Sequence, residues 1–296
     1  MTEITGRAAV VTGGGSGIGK GLAGELARQG AAVAIADIQP DKAEDVAAAI
    51  RAAGGHAVAL ACDVCDPASV RAMQAAAVAA LGPVSLVFAN AGATSFTDLA
   101  SMSDADVEWV IDVNLMGVMR TTRAFLPGMI AAGGGHICAT ASMAGLLPGW
   151  IPVHAPYSAA KAGIIGLMMN LALELKPHNI FTTSYCPGAV ASGMKDNNGR
   201  YRPARFGGPE PVAGVQFAST DTTHSDLRFY RPEAIAPIVL DAVRRNRPFV
   251  FDHAEQRRFF RETYADVVEA CYDDIDAWEA AHGRPCANPT GAALRD

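Results

Sequence analysis

The amino-acid sequence predicts an α/β protein built around one doubly wound parallel sheet. Short apolar runs alternate with Ala-rich segments of helical periodicity, and a glycine-rich turn joins the first run to the first helical segment. The runs lack the polar–apolar alternation of a strand with one wet face, which is typical of strands covered by helices on both sides. Because strands and helices alternate, the crossovers are expected to be right-handed and the strands parallel.

Each element can be assigned from this pattern. Strands are predicted over residues 7–12, 32–37, 56–62, 84–89, 136–142, 180–186 and 248–251, where apolar and β-branched residues cluster. Helices are predicted over residues 17–29, 42–53, 67–81, 104–132, 157–175, 232–245 and 254–281. The fourth helix is expected to break or bend near Pro127, because proline disrupts helical hydrogen bonding.

The whole chain, residues 1–296, is predicted to be a single domain with two additions. Residues 190–231, after the sixth strand, are rich in glycine, proline and aromatic residues. Irregular segments of this length inside a compact domain are typically functional, so we interpret this one as a substrate-loop insertion. Residues 253–296 are interpreted as a helical tail.

Composition narrows the possible functions and partners. The formal net charge of −6 disfavours binding to nucleic-acid phosphates. The amino-terminal residues lack the basic and apolar regions of a signal peptide, and the most apolar helical stretch, residues 164–175, is too short to cross a bilayer. We therefore expect a cytoplasmic protein with no membrane partner. Cys62 and Cys65 have the spacing of a redox pair but are interpreted as buried strand-end residues, and the sequence predicts no metal site.

The glycine-rich turn predicts a dinucleotide site. Gly13, Gly17 and Gly19, with Ser16 and Ile18 between them, follow a strand and open a helix. Glycines there allow a tight turn and the close approach of a pyrophosphate to the helix N-terminus.

Asp37, at the end of the second strand, predicts the type of dinucleotide. A carboxylate at this position can bind the adenosine-ribose hydroxyls and would repel a 2′-phosphate. The next residues, Ile38, Gln39 and Pro40, provide no cation. The sequence therefore favours NAD over NADP.

Three further residues predict proton transfer. Tyr157 and Lys161 are one helical turn apart and share a helix face. An ammonium beside a phenol stabilises the phenolate, so we expect Lys161 to lower the pKa of Tyr157 from its usual value of about 10. Ser142, at the end of the fifth strand, can donate a hydrogen bond to a substrate oxygen. Together these groups can exchange a proton with an alcohol.

These residues occur with others in an order that resembles the short-chain dehydrogenase/reductase family, which has a Rossmann fold. The resemblance covers about residues 7–192 and rests on the glycine-rich turn, on Tyr157-Ser158-Ala159-Ala160-Lys161, and on shorter matches at Asn90-Ala91-Gly92, Asn114, Ser142 and Pro187-Gly188. It implies hydride transfer between a nicotinamide cofactor and an alcohol or ketone carbon.

The same resemblance implies roles for individual residues. Asn114 is expected to hold a water in a proton relay that runs through Lys161 to Tyr157, and Lys161 is also expected to bind the nicotinamide ribose. Further cofactor contacts are expected from Asp63 and Val64 at the adenine, from Asn90, Ala91 and Gly92 along the cofactor, from Pro187, Gly188 and Val190 over the nicotinamide, and from Ser192 at a phosphate.

The segments after residue 200 resemble one subgroup of this family. Residues 201–207, the helix from Pro232 and the tail from His253 are similar to the bacterial Cα-dehydrogenases that oxidise benzylic alcohols in lignin-derived aryl ethers. The loop between Ser142 and Tyr157 is longer than is usual in the family, so the substrates of ordinary members cannot be carried over to this chain.

The substrate pocket is assigned to apolar residues that follow strands or precede the predicted helix at 157–175. Its candidate wall residues are Phe96, Met143, Trp150, Val153, Met194, Tyr201 and Phe206. Such walls suit a bulky apolar or aromatic molecule, whereas Arg202 and Arg205 are assigned to the surface. The helix over residues 157–175 is apolar on both sides, which predicts a homodimer or homotetramer.

Two alternatives stay open. A related oxidoreductase could act on another alicyclic, steroid-like or acyl substrate, and a dinucleotide-binding sensor could keep the fold without the reaction. The joint presence of Asn114, Ser142, Tyr157 and Lys161 favours an enzyme. No G-x-S-x-G elbow surrounds Ser142, which argues against an α/β-hydrolase.

Overall fold

A parallel sheet forms the centre of the protein. The computed structural model describes residues 1–94, 96–147, 152–194, 200–209 and 228–283. Within them, seven parallel strands pair in the order β3-β2-β1-β4-β5-β6-β7. They are β1 (Ala8–Thr12), β2 (Ala32–Asp37), β3 (Ala57–Ala61), β4 (Val84–Ala89), β5 (Gly135–Thr140), β6 (Ile180–Cys186) and β7 (Phe249–Phe251). The predicted doubly wound α/β fold is confirmed, and the strand order reverses between β1 and β4, where open α/β sheets bind ligands.

Helices follow most strands and cover the sheet. They are α1 (Gly17–Arg28), α2 (Pro40–Ala52), α3 (Pro67–Leu81), α4 (Asp104–Ile111), α5 (Gly117–Ala131), α6 (Met143–Leu146), α7 (Ala155–Glu174), α8 (Pro232–Arg244), α9 (Gln256–Phe260) and α10 (Asp266–His282). Pro40, Pro67 and Pro232 stand in the first turn, where the backbone N–H has no helical partner to lose. Every residue of β1 and β4 is buried, as expected for strands covered on both faces.

The helix predicted over residues 104–132 is interrupted by a π-helical turn. This turn, Asp112–Met116, separates α4 from α5, and Pro127 lies inside α5, so the predicted position of the break was wrong. The Asn114 side chain supports the turn: its Nδ2 donates to the Val110 carbonyl oxygen at 2.8 Å and to the Ala93 carbonyl oxygen at 2.7 Å. The distortion thereby anchors Asn114 just beyond the end of β4; π turns are frequent at functional sites.

The chain divides into two compact units, Met1–His253 and Ala254–Asp296. In the second unit a π-helical turn, Arg261–Ala265, lies between α9 and α10, so the single helix predicted over 254–281 is split. Several large apolar side chains of α10 are exposed, among them Val267, Tyr272 and Ile275. The assignment of residues 1–296 to one domain remains a prediction. None of the described helices is long and apolar enough to span a membrane.

A buried histidine lies at the amino end of β5, at the edge of the sheet opposite the carboxyl ends of the strands. His136 contacts the Thr183 hydroxyl through Nε2 at 2.8 Å and the Thr2 hydroxyl through Nδ1 at 3.0 Å. Burial lowers the pKa of His136 to about 3, because the charged ring would lose its hydration. The folded protein therefore keeps this ring neutral at pH values where the unfolded chain protonates it.

Folding stability should fall in acid because of His136. Its ordinary pKa is 6.5, so the unfolded chain binds the proton first, and stability is lost as pH falls from there towards 3. His136→Phe removes this titration. Between pH 7 and pH 5 the wild type should lose about 2 kcal/mol more unfolding free energy than His136→Phe does. Urea unfolding at both pH values measures the difference, and parallel losses would contradict it.

Candidate active site and cofactor cleft

The carboxyl ends of the central strands open into a cleft of about 940 Å³, counting its solvent-open part. The structure brings most of the predicted cofactor residues together here. Those that line the cleft are Gly13, Ser16, Gly17, Ile18, Asp37, Ile38, Asp63, Val64, Asn90, Ala91, Gly92 and Ser192. Gly19, Tyr157, Lys161, Pro187, Gly188 and Val190 are not part of this lining, and their contacts with a cofactor remain predictions.

The glycine-rich turn is held close to the end of β4. Gly13 has a φ of +63°, and a Cβ there would lie 2.9 Å from Ala91 Cα. A Cβ at Gly19 would lie 2.1 Å from the Gly13 carbonyl oxygen, so any side chain would push the turn away from α1. At Gly17, the first residue of α1, a Cβ would approach the Ser192 Cβ to 3.1 Å. The N-cap side chain of α1 makes no capping hydrogen bond, so this helix end offers N–H donors to an anion in the cleft.

Asp37 lies beside the same turn. Its Oδ2 accepts the Gly15 N–H at 2.9 Å, and its Oδ1 accepts the Gln39 N–H at 3.0 Å. The carboxylate thus holds the turn against β2 while it also lines the cleft. The nearest lysine along the chain, Lys42, pairs with Asp45 at 3.5 Å. The acidic group expected at the adenosine end is therefore in place.

Asn90 connects the ends of three neighbouring strands. Its backbone N–H and that of Ala91 donate to the Thr12 hydroxyl at 3.0 and 3.2 Å. Its side-chain Nδ2 donates to the Thr12 and Gly13 carbonyl oxygens at 3.2 and 3.3 Å, and its Oδ1 accepts the Thr140 hydroxyl at 3.0 Å. The two threonines were not among the predicted site residues.

Ser142, Tyr157 and Lys161 meet between β5 and α7. Lys161 Nζ lies 5.3 Å from the centroid of the Tyr157 ring and donates to the Thr140 carbonyl oxygen at 2.7 Å. Ser142 caps α6, where its Oγ accepts the Ala144 N–H at 3.1 Å, and it also hydrogen-bonds Tyr157. All three predicted residues are buried, and Thr140 connects them to the cleft wall.

The expected lowering of the Tyr157 pKa does not occur in the protein alone. Burial raises the pKa of Tyr157 to about 12, against a smaller opposing effect of the hydrogen bond with Ser142. Burial also lowers the pKa of Lys161 to about 7, so at neutral pH the amine is no longer a permanent cation. The expectation was wrong because it counted the attraction between the two groups and left out the desolvation of both.

Asn114 presents an unpaired acceptor near Lys161. Its Nδ2 makes two hydrogen bonds, but its Oδ1 is buried and has no partner. A Cβ built at Gly92 would lie 2.9 Å from this oxygen and 3.7 Å from Lys161 Nζ, so both polar atoms border the same space. A buried carbonyl of this kind is the acceptor that a bridging water requires. The relay role of Asn114 remains a prediction.

The predicted substrate residues fall into different environments. Met194 and Tyr201 line the cleft, and Met194 Sδ accepts the Tyr157 hydroxyl at 3.7 Å. Phe206 is buried in a cluster that contains Tyr157 and Trp109.

The other predicted substrate residues of the described chain, among them Phe96, lie outside the cleft lining, and their contacts with a substrate remain predictions. Met143 is buried in the interior and Val153 is 42% exposed, and neither lines the cleft. Trp150 lies outside the described residues. The surface assignment of Arg202 was wrong, because its side chain is buried and pairs with Asp106 at 2.6 Å.

A histidine that the sequence did not single out packs on Tyr157. The His154 ring stacks on the Tyr157 ring, with centroids 4.3 Å apart and planes at 5° to each other. The Phe96 ring also stacks on the His154 ring, with centroids 4.8 Å apart. The Nε2 atom of His154 contacts the Thr94 hydroxyl. Burial lowers the pKa of His154 to about 4, so a neutral ring lies against the phenol. No local sequence signal distinguishes His154 from a surface histidine.

A comparison with protein families identifies this arrangement. The short chain dehydrogenase model matches residues 7–202, about two-thirds of the chain, including the glycine-rich turn and the Tyr157–Lys161 pair. The chain belongs to the short-chain dehydrogenase family. The cleft and the buried Tyr157 phenol therefore belong to a member of an oxidoreductase family, as the sequence motifs indicated.

Several curated members of this family are similar in sequence. The oxidoreductase UcpA of Escherichia coli K12 is 36% identical over 200 residues, which cover 68% of this chain and 75% of that protein. A 3-oxoacyl-[acyl-carrier-protein] reductase of Synechocystis is 36% identical over 229 residues, covering 75% and 92%. The (-)-trans-carveol dehydrogenase of Rhodococcus erythropolis is 36% identical over 216 residues, covering 68% and 77%.

Solved structures extend the likeness to nearly the whole chain. A member from Burkholderia phymatum, in complex with NAD, has a TM-score of 0.81 and 30% identity and covers 91% of this chain and 97% of its own. Apo LigD from Sphingobium sp. strain SYK-6 has a TM-score of 0.73 and covers 90% and 97%; at 24% identity it shows the shared fold alone.

Removing the buried amine should stabilise the protein. The unfolded chain holds the Lys161 proton up to its ordinary pKa of 10.5, but the folded protein holds it only up to about 7, so stability is lost as pH falls between these values. At pH 8, Lys161→Met should raise the unfolding free energy by about 2 kcal/mol. This figure already includes the loss of the hydrogen bond from Lys161 to the Thr140 carbonyl oxygen. The exposed Lys176→Met is the control and should change little. A less stable Lys161→Met in urea unfolding would refute this.

Proposed function

We propose that the protein is an NAD-dependent dehydrogenase that transfers a hydride between a secondary alcohol carbon and the cofactor. One observation carries the proposal: the buried Tyr157 hydroxyl, flanked by Ser142 and Lys161, contacts Met194, which lines a cleft bounded by a glycine-rich turn. Relatives named trans-carveol dehydrogenase and cyclohexanol dehydrogenase support a secondary alcohol as the substrate.

The residues of the chain fit the cofactor. The turn at Gly13 leaves no room for a side chain, and the amino end of α1 offers donors to a pyrophosphate. The Burkholderia structure with NAD supports the same occupant here. When bound, NAD would supply the hydride acceptor. Its positively charged ring would also supply a positive charge that would favour the phenolate form of Tyr157 and that the protein alone does not provide.

Proton transfer is assigned to Tyr157. The Tyr157 phenolate accepts the alcohol proton after the phenol has released its own proton towards Lys161. Ser142 donates a hydrogen bond to the substrate oxygen, which holds the oxygen as its charge changes. Lys161, with a pKa of about 7, can accept and pass on a proton at neutral pH. The unpaired Oδ1 of Asn114 offers a hydrogen-bond acceptor for a water that would carry the proton onward. The order of the relay is Tyr157, Lys161 and the water held by Asn114.

The substrate is assigned as bulky and apolar or aromatic. Met194, Tyr201 and Trp109 line the cleft, and Phe206 packs beside Tyr157. Thioether and aromatic groups favour a large apolar ligand. Together with the resemblance of residues 201–207 to Cα-dehydrogenases, this supports a benzylic alcohol of a lignin-type aryl ether as the substrate.

Self-association is proposed through α7. Leu173 and Met169 on this helix are 76% and 54% exposed, which leaves large apolar side chains in solvent on a helix whose other face is buried. A homodimer or homotetramer would cover these side chains.

An alcohol panel tests the function. With NAD, absorbance at the NADH band should rise fastest with aryl secondary alcohols and more slowly with alicyclic and steroid alcohols. Tyr157→Phe should lower kcat by about 10³-fold and leave the Kd for NAD nearly unchanged. Tyr264→Phe, which alters an exposed tyrosine, is the control. Wild-type turnover by Tyr157→Phe would refute the mechanism, and NAD binding without any turnover would favour the sensor alternative.

Cofactor choice can be tested at Asp37. Asp37→Ser removes the carboxylate that would repel a 2′-phosphate, so the ratio of kcat/KM for NADP to that for NAD should rise about tenfold or more. Asp41→Ser removes a neighbouring exposed carboxylate and should leave the ratio unchanged. An unchanged ratio in Asp37→Ser would show that another residue selects the cofactor.

A further inference from the structure

The turn after β6 is anchored by residues that the sequence did not single out. Asp252, just after β7, accepts hydrogen bonds from the Gly188 N–H at 2.9 Å, from the Tyr185 hydroxyl at 2.6 Å and from His253 Nδ1 at 2.5 Å. The Asp252 and His253 side chains are essentially without solvent exposure. Burial, reinforced by the neighbouring carboxylate, raises the pKa of Tyr185 well above its usual value, so the phenol remains a donor.

His253 extends this network to the far end of the 190–231 insertion. Its Nε2 lies 2.8 Å from the Arg228 carbonyl oxygen, and its ring stacks on Tyr230 with centroids 4.3 Å apart. Both ring nitrogens therefore face acceptors, a carbonyl and the Asp252 carboxylate. Donation to both acceptors at once requires the doubly protonated ring.

Backbone hydrogen bonds complete the connection. The Tyr230 N–H donates to the Ala189 carbonyl oxygen at 3.0 Å, and the Ala191 N–H donates to the Tyr230 carbonyl oxygen at 2.9 Å. Val190 forms a parallel bridge with Tyr230. On the other side, the Met143 N–H donates to the Pro187 carbonyl oxygen at 3.0 Å. Residues 187–191 are thus held by Asp252, by residues 228–230 and by the segment that begins at Ser142.

We propose that Asp252 and His253 are positioning residues for the nicotinamide half of the cofactor, because they set the position of residues 187–190 without contacting the reacting atoms. The inference rests on the proposed function, and on the expectation from the family resemblance that Pro187, Gly188 and Val190 cover the nicotinamide. The predicted adenosine contacts, Asp37, Asp63 and Val64, follow β2 and β3 at the opposite edge of the sheet from β7. Disturbing the network should therefore weaken the binding of the nicotinamide half of the cofactor and leave the binding of the adenosine half unchanged.

Two ligands separate the halves: NAD, and ADP-ribose, which lacks the nicotinamide ring. His253→Phe keeps a ring that can stack on Tyr230 and removes both hydrogen bonds. By isothermal titration calorimetry it should bind NAD about tenfold more weakly, with less than about a twofold change for ADP-ribose. Asp252→Asn keeps an acceptor for Gly188 and loses the charge, so it should show a smaller loss that is again confined to NAD.

His136→Phe is the matched control. It also replaces a buried, hydrogen-bonded histidine of the same sheet, but at the edge away from the cleft, so the ratio of the two affinities should not change. Should His253→Phe fail to fold, His253→Gln, which can still donate one hydrogen bond, takes its place. Equal weakening for both ligands, or none, in a folded variant overturns the positioning role. Absence of NAD binding by the wild type overturns the proposed function, and this inference with it.

Discussion

The Asn90 side chain and the hydroxyls of Thr12 and Thr140 tie the ends of β1, β4 and β5 together. On one side of this junction the glycine-rich turn is pressed against Ala91. On the other side the Thr140 carbonyl oxygen accepts the Lys161 amine. The distance between the anion-binding turn and the proton-transfer group is therefore set by these polar contacts at the carboxyl ends of the central strands. Buried networks of this kind are rigid only when all their members are satisfied.

Beside this junction the protein keeps ionisable groups in surroundings that oppose their charge. Burial raises the pKa of Tyr157 and lowers those of Lys161 and His154, and the Asn114 oxygen is buried without a partner. Each arrangement costs folding free energy that an apolar side chain would not cost. Such a concentration is typical of active sites, where a strained or unsatisfied group acquires partners when ligands bind.

The two halves of the cleft are supported in different ways. The side proposed to hold the adenosine depends on local backbone geometry, because Gly13, Gly19 and Asp37 all act within one strand–turn–helix unit and its neighbouring strand. The side proposed to hold the nicotinamide depends on long-range contacts: Asp252 is 64 residues from Gly188, and His253 is 25 residues from Arg228. A cofactor that spans both sides would therefore couple a local motif to the tertiary packing of β7 and of the end of the insertion.

The sequence by itself determined the fold class, the succession of strands and helices along the chain and the residues around the glycine-rich turn, because these follow from periodicity and from glycine positions whose effects are local. It also identified Ser142, Tyr157 and Lys161, since a pair one helical turn apart shares a face in any helix. Only the tertiary structure decided the π-helical turn at Asn114, the burial that reverses the expected pKa of Tyr157, and the partners Thr140, His154 and Asp252. Desolvation and contacts between distant segments depend on how the whole chain packs, and no short stretch of sequence contains that information.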